Sequence, residues 1–256
     1  MLILAKNIWC MYLVKDIGSY LLLMRQVVTR PDRWNVFFQR LKTELYAIGV
    51  DSFGIVAIIS LFTGAVVAIQ VAYNIDNPLL PKTLIGFSTR QMIVLEFAPT
   101  MISLILAGKV GSSIASEIGT MRITEQIDAL EIMGINPANF LILPKLIAAI
   151  LISPALIIFG MYIGIIGGYL VASFTNLVTP DEFISGVQLD FESFTVFYAL
   201  IKTVVFAIII VTMAAFQGYI IKGGSIQVGK ASTKTVVYSS VLIILFNLLL
   251  TQLFLT

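Results

Sequence analysis

EFAPTMISLILAGKVGSSIASEIGTMRITEQIDALEIMGINP, residues 96 to 137, decides how the rest of the chain is read. A carboxylate, Glu96, opens the stretch inside an apolar run, and glycines and small residues follow. It closes in a polar, mostly acidic segment between two stretches of membrane-crossing length. A charged helix has no cheap place in hydrocarbon. If its neighbours span a bilayer, the polar helix lies in water at the membrane surface. A soluble partner could press on it there and move the spans.

Composition supports that frame. The chain has 256 residues, 59% hydrophobic and 12% charged, with a mean hydropathy of +1.00. Soluble domains carry roughly a quarter charged residues, and this little polar sequence cannot cover repeated apolar runs of about 20 residues. The expected fold is an all-α polytopic membrane protein with five transmembrane helices. One domain, residues 1–256, would comprise an interfacial helical region, 1–48, and a transmembrane core, 49–256. There is no histidine and one cysteine, Cys10. This excludes histidine-ligated metal sites, Ser/His and Cys/His nucleophile pairs and intrachain disulfides. No catalytic residue, metal, resident cofactor, nucleic-acid partner or cleavable signal peptide is expected.

Working outward, residues 1–30 place Asn7, Lys15, Ser19, Arg25 and Gln26 on one helical face, and Pro31-Asp32 breaks the pattern. From Trp34, the positions Trp34, Phe37, Phe38, Leu41 and Leu45 recur at helical spacing, with Arg33, Arg40 and Lys42 mostly elsewhere. That predicts an amphipathic helix in the membrane interface; the alternative is a helix packed on the protein itself. The first span is expected at 49–73, with Gly64, Ala68 and Ala72 forming a small-residue face. A loop or re-entrant piece, 74–86, follows, then a second span, 87–107, bent at Pro99. The polar helix is expected over 112–133, ending at Gly134 and the Asn136-Pro137 turn. The third apolar stretch, 140–174, exceeds one crossing and carries Gly160, Gly164 and Gly168 at four-residue spacing, where another backbone can approach. A polar loop, 175–193, a fourth span, 194–221, a short loop, 222–235, and a fifth span from Val236 complete the chain.

Lysine and arginine set the orientation. Five crossings place Lys6, Lys15, Arg25, Arg30, Arg33, Arg40, Lys42, Lys109, Arg122, Lys222, Lys230 and Lys234 on one side, against only Lys82 and Arg90 on the other. The N-terminus and the polar helix are therefore expected in the cytoplasm and the C-terminus outside. Gly224, Gly229 and Lys230 approach a nucleotide-binding loop, but Ala231 stands where Ser or Thr would hold magnesium, and no strand precedes. Those glycines read instead as a tight turn.

Charges inside the spans are costly unless paired or in a wet cavity. Glu96 in the second span and Lys202 in the fourth have opposite sign and similar depth. They are expected to face a common interior cavity, and whether they pair is left open by the sequence. The alternative has Lys202 snorkelling outward and Glu96 capping a helix broken near Pro99. Asn247 in the fifth span is a third polar group. On the polar helix, Glu117, Arg122, Glu125, Asp128 and Glu131 suggest a docking surface, with a plain solvated helix as the alternative.

The stretch quoted above, with KTVVFA at 202–207 and VGKASTKTVVYSS at 228–240, resembles the signature regions of MlaE/YrbE-type permeases, the membrane subunits of MCE-associated ABC transporters. The resemblance extends over residues 40–256. It implies a homodimer in the bacterial inner membrane, moving phospholipids or related lipids between inner and outer membranes. A cytoplasmic ATPase would bind ATP and Mg, and a periplasmic MCE-domain protein would sit above, which makes the outer side holding the C-terminus the periplasm. It further implies that Glu117, Arg122, Glu125, Gln126, Asp128 and Glu131 belong to the coupling helix that docks on the ATPase. Glu96, Lys202 and Asn247 would lie by a lipid pocket between the two copies. Here Leu95 replaces the family's Arg, EFAP its ELGP, Lys109 its AGR arginine, and Asn247 its fifth-span acid. The competing classes are an ion-gradient-driven secondary transporter with Glu96 as the titrating group, and a scaffold that moves nothing.

Overall fold

The computed structural model describes residues 2–29, 34–75, 80–175 and 178–255, with side chains from Lys15 to Phe254. All regular structure among them is helical. In chain order the helices are α1 (Leu2–Val27), α2 (Trp34–Asn74), α3 (Thr83–Ile123), α4 (Gln126–Ile132), α5 (Pro137–Thr175), α6 (Pro180–Gln188), α7 (Ser193–Tyr219) and α8 (Ser225–Leu255). Five of them, α2, α3, α5, α7 and α8, are long and apolar enough to cross a membrane. The chain is an all-α, multi-pass membrane protein. The polar side chains expected on α1 at Lys6 and Asn7, Cys10, and the break at Pro31-Asp32 lie outside the described residues.

The centre of the bundle is the crossing of α2 and α5. Gly64 faces Gly164 so closely that a Cβ on Gly64 would overlap the Gly164 carbonyl. A Cβ on Gly160 would lie 2.9 Å from the Ser60 hydroxyl, and one on Gly168 would lie 2.9 Å from the Phe183 ring. Hydrocarbon offers helices no hydrophobic drive to associate, so close backbone approach supplies dispersion contact instead. α7 packs along α3, α5 and α8 and buries Phe206, Val211 and Ala214 completely.

Several boundaries differ from the sequence expectation, each for a local reason. No break separates the amphipathic helix from the first span; a widened π turn, Tyr46–Val50, joins them within α2. No proline interrupts that turn, and Gly49 packs flat against Ile152. In the amphipathic part Phe37 and Leu41 are buried against the body, while Trp34 and Phe38 stay exposed. The polar helix expected over 112–133 is not one helix. Its first half is the end of α3, continuous with the second span, and the chain turns at Glu125 in a left-handed conformation (φ 59°) before α4. Small residues allow α3 to run on, since Gly119 seats Ile221 and Val228. The expected loop at 175–193 contains α6, started by a capping box between Thr179 and Glu182 with Pro180 in the first turn. The Thr179 hydroxyl, then its backbone N–H, hold the exposed Glu182 carboxyl below the usual carboxylate range. The loop expected at 222–235 is shorter. The turn falls at Gly223 (φ 114°), and Gly229, Lys230 and Lys234 are already helical.

Candidate functional site

Pro99 begins the site. It has no N–H to give the carbonyl of Leu95 four residues back, and the helix widens into π turns over Ile93–Met101. Such widened turns concentrate at functional positions. The freed Leu95 carbonyl accepts from Lys202 Nζ at 3.2 Å, and the same ammonium reaches Glu96 Oε1 at 2.7 Å. Helical spacing supplies the rest. Tyr198 and Lys202 share a face of α7, and Asn247 and Thr251 share a face of α8. Asn247 Nδ2 donates to Glu96 Oε2 at 2.8 Å. The Thr251 hydroxyl lies 3.3 Å from Oε1 and 2.8 Å from the Asn247 carbonyl, and it accepts from Tyr198 Oη at 3.0 Å. Lys202 Nζ also sits 4.5 Å above the Tyr198 ring.

The three sequence-selected residues Glu96, Lys202 and Asn247 thus meet in one cluster, joined by two that sequence reasoning does not select, Tyr198 and Thr251. Hydroxyls are too common in spans to stand out. Burial is uneven: Lys202 is completely buried, whereas the Glu96 side chain is 41% exposed. A fully enclosed ammonium has to be partnered, and the carboxylate is what neutralises it. The carboxylate itself opens outward beside α8. Only 11% of the most apolar window of α8 is buried, against 39% to 50% in the other spans, so α8 is the span least covered by its own chain.

A second polar assembly closes the other end of α3. Lys145, 3% exposed, bridges Glu44 of α2 at 2.6 Å and Glu117 of α3 at 2.7 Å. Arg40 lies over the Phe140 ring, 3.7 Å from its centre. Sequence reasoning does not single out Lys145, although a lone cation in FLILPKLIAAI is the same signal as Lys202. Lys109 donates to the carbonyl of Asp51, holding α3 against α2. Beyond the left-handed turn, Arg122 pairs with Asp128 at 2.5 Å, and Tyr219 Oη donates to Glu131 at 3.2 Å. Ile127 anchors α4 as a fully buried side chain. The Asn136-Pro137 turn does two jobs. Asn136 Oδ1 accepts from the N–H of Ala138 at the start of α5, while Asn136 and Asn139 amides donate to the carbonyls of Gln26 and Val27 at the end of α1.

The expected acidic flank of the polar helix is therefore divided. Glu117 belongs to the Lys145 bridge, and Asp128 and Glu131 already have intramolecular partners. Glu125 and Gln126 are exposed, and past them the tip of α4 presents Ile132 and Met133, 87% and 64% exposed. Arg90, counted from sequence only as a charge on the outer side, has a structural partner set. It is buried between Phe87 and Phe191 and donates to the carbonyls of Val187, Leu189 and Asp190, capping the C-terminus of α6. Arginine's planar fork can meet several carbonyls at once, a geometry that no sequence pattern announces. A groove of about 340 Å³ runs along α5 and α6 between Tyr162, Tyr169, Phe183 and Val187, and none of the Glu96 cluster lines it.

Comparison with known proteins agrees with this architecture. The family model described as permease MlaE matches residues 41–253. A probable ABC transporter permease protein of Rickettsia bellii is 35% identical, over 94% of this chain and 93% of its own length. The intermembrane phospholipid transport system permease protein MlaE of Haemophilus influenzae is 32% identical, over 84% of this chain and 82% of its own. A chloroplastic protein of Arabidopsis thaliana, trigalactosyldiacylglycerol 1, is 28% identical over 90% of this chain and 65% of its own. The five spans and the extent of these matches lead to one assignment: the chain belongs to the MlaE permease family, a transport subunit of the ABC type and not itself an enzyme.

Proposed function

We propose that this chain moves phospholipids or related lipids between inner and outer membranes, as a homodimer driven by ATP hydrolysis in a separate cytoplasmic subunit. The observation that carries the reading is the continuity of α3. One helix holds Glu96, the Lys145 bridge at Glu117 about 30 Å further on, and the turn to α4 about 40 Å from Glu96, at 1.5 Å per residue. A push on α4 passes through the turn at Glu125 into a helix that stays unbroken to the Glu96 cluster, through π turns at Ala107–Gly111 and around Pro99. The Lys145 bridge makes the amphipathic part of α2 move with that helix.

On this reading the N-terminus and α4 are cytoplasmic and the C-terminus periplasmic, where a MCE-domain partner receives the lipid. The ATPase is met by the apolar tip Ile132–Met133, with Glu125 and Gln126 beside it. ATP and Mg bind in that partner. The second copy covers α8, the least buried span, and brings two Glu96 clusters face to face around a lipid-sized space. Apolar helix faces line the path for the tails, and Glu96, held from behind by Lys202 and Asn247, meets the headgroup.

The test is co-purification and transport together. Ile132→Asp with Met133→Asp should abolish ATPase co-purification and leave the thermal midpoint unchanged, since both side chains are exposed. Native mass spectrometry of the wild-type complex should report the ATPase, the MCE protein, two copies of this chain and lipid. Retained ATPase binding by the double variant would refute the docking surface. Lipid transport by the purified chain alone would refute ATP coupling and favour an ion-driven transporter.

A further inference from the structure

The polarity that the Glu96 cluster offers outward is of one kind. Lys202 is fully buried, and its ammonium is engaged by Glu96 and the Leu95 carbonyl. The Asn247 amide donates to Glu96 Oε2. The single Thr251 proton is shared between Glu96 and the Asn247 carbonyl, and the Tyr198 proton goes to Thr251. Each donor that the structure shows at the carboxylate is thus turned inward. Acceptor capacity remains. A carboxylate has about four lone-pair sites, and this one is 41% exposed.

The geometry points to a headgroup filter: the site selects lipids that bring their own N–H donors, a primary ammonium over a quaternary one. The inference rests on the reading of Glu96 as part of the lipid path. A primary ammonium can set N–H groups against Glu96, and charge-assisted hydrogen bonds of this type are about twice as strong as neutral ones. A quaternary ammonium carries the same charge but has no N–H, and its usual recognition element is an open aromatic face. The ring at this site, Tyr198, is already faced by Lys202. A headgroup phosphate gains nothing directly, because the Lys202 ammonium is enclosed behind the carboxylate.

The test uses the permease–ATPase complex in nanodiscs of phosphatidylethanolamine and phosphatidylcholine in equal parts. Each lipid in turn carries the same photoactivatable acyl chain, and crosslinks are mapped to peptides containing residues 92–101 and 244–254. Phosphatidylethanolamine should exceed phosphatidylcholine by about tenfold at these peptides, the equivalent of one charge-assisted hydrogen bond. Because Glu96→Gln alone strands a buried ammonium, the variant used is Glu96→Gln with Lys202→Met, which removes both charges. Its ratio should fall towards one through loss of phosphatidylethanolamine crosslinks. Equal crosslinking of the two lipids in the wild-type chain would overturn the filter and leave the lipid path standing. A tenfold preference that survives in the double variant would also overturn it, by placing the selection elsewhere. Absence of crosslinks from both lipids at these peptides would instead refute the lipid path itself.

Discussion

Breaking the Glu96–Lys202 pair from its two ends should give unequal losses, and the inequality follows from burial. In Glu96→Gln the ammonium of Lys202 stays completely buried, with the Leu95 carbonyl and a neutral amide as its remaining partners. Stranding a buried charge typically costs 3–5 kcal/mol, and the retained amide places this variant near the lower end, about 3 kcal/mol. In Lys202→Met the carboxylate keeps its donors Asn247 and Thr251 and is 41% exposed, so about 1–2 kcal/mol is expected. The double variant removes both charges and should lie within about 1 kcal/mol of the wild type, because neutral replacement of a buried pair is often nearly free. Thermal unfolding in nanodiscs reads these differences, at roughly 2–4 °C per kcal/mol for a chain of this size. The singles should fall by about 6–12 °C and about 2–8 °C, and the double should recover most of the loss. Losses that simply add in the double variant would refute a coupled pair. A larger loss for Lys202→Met than for Glu96→Gln would refute the burial argument. The reciprocal swap, Glu96→Lys with Lys202→Glu, should rescue only in part, since it sets a carboxylate against the Leu95 carbonyl.

Three further perturbations test other parts of the structure. Lys145→Met leaves Glu44 and Glu117 facing each other without the ammonium between them; Glu117 is half exposed and Arg40 stays close to both acids, so about 1–3 kcal/mol of stability should be lost, and adding Glu44→Gln should restore part of the thermal midpoint. Gly64→Val forces α2 and α5 apart at the Gly164 carbonyl, and overpacking of this type costs about 1–3 kcal/mol or more, read in the same unfolding assay. Arg90→Met deprives three carbonyls at the end of α6 of their donor; hydrogen exchange over residues 180–190 should accelerate by about tenfold or more, each lost charge-assisted bond being worth about 1.5–3 kcal/mol, while exchange in the α2–α5 crossing is unchanged.

Some of the site is legible in the linear chain and some is not, and the division has a physical basis. Glu96 and Lys202 stand out because hydrocarbon makes every charge conspicuous. Lys145 is equally conspicuous, but its partners Glu44 and Glu117 look like ordinary surface acids. The capping box TPDE at 179–182 is a local start signal, so α6 is recoverable from sequence even though the surrounding acids suggest a loop. The left-handed turn at Glu125 has no glycine to mark it. It arises where α3, held by its packing on α7 and α8, reaches the end of that support. The acids 117, 128 and 131 cannot be sorted into free and paired by spacing, since the turn between them changes which face each one occupies.

By itself, the sequence determined the class of the molecule: five apolar helices, a polar segment between the second and third, charges too few and too deep to be accidental, and a family. These are properties of local composition and period, set by the cost of exposing polar backbone and charge to lipid. Only the tertiary structure decided who holds whom. Lys202 and Glu96 are 106 positions apart, Lys145 and Glu44 101, and Asn247 and Glu96 151. Contacts over such separations depend on how rigid helices cross, and a crossing is set by the shape of whole faces, down to the glycines that let α2 and α5 touch.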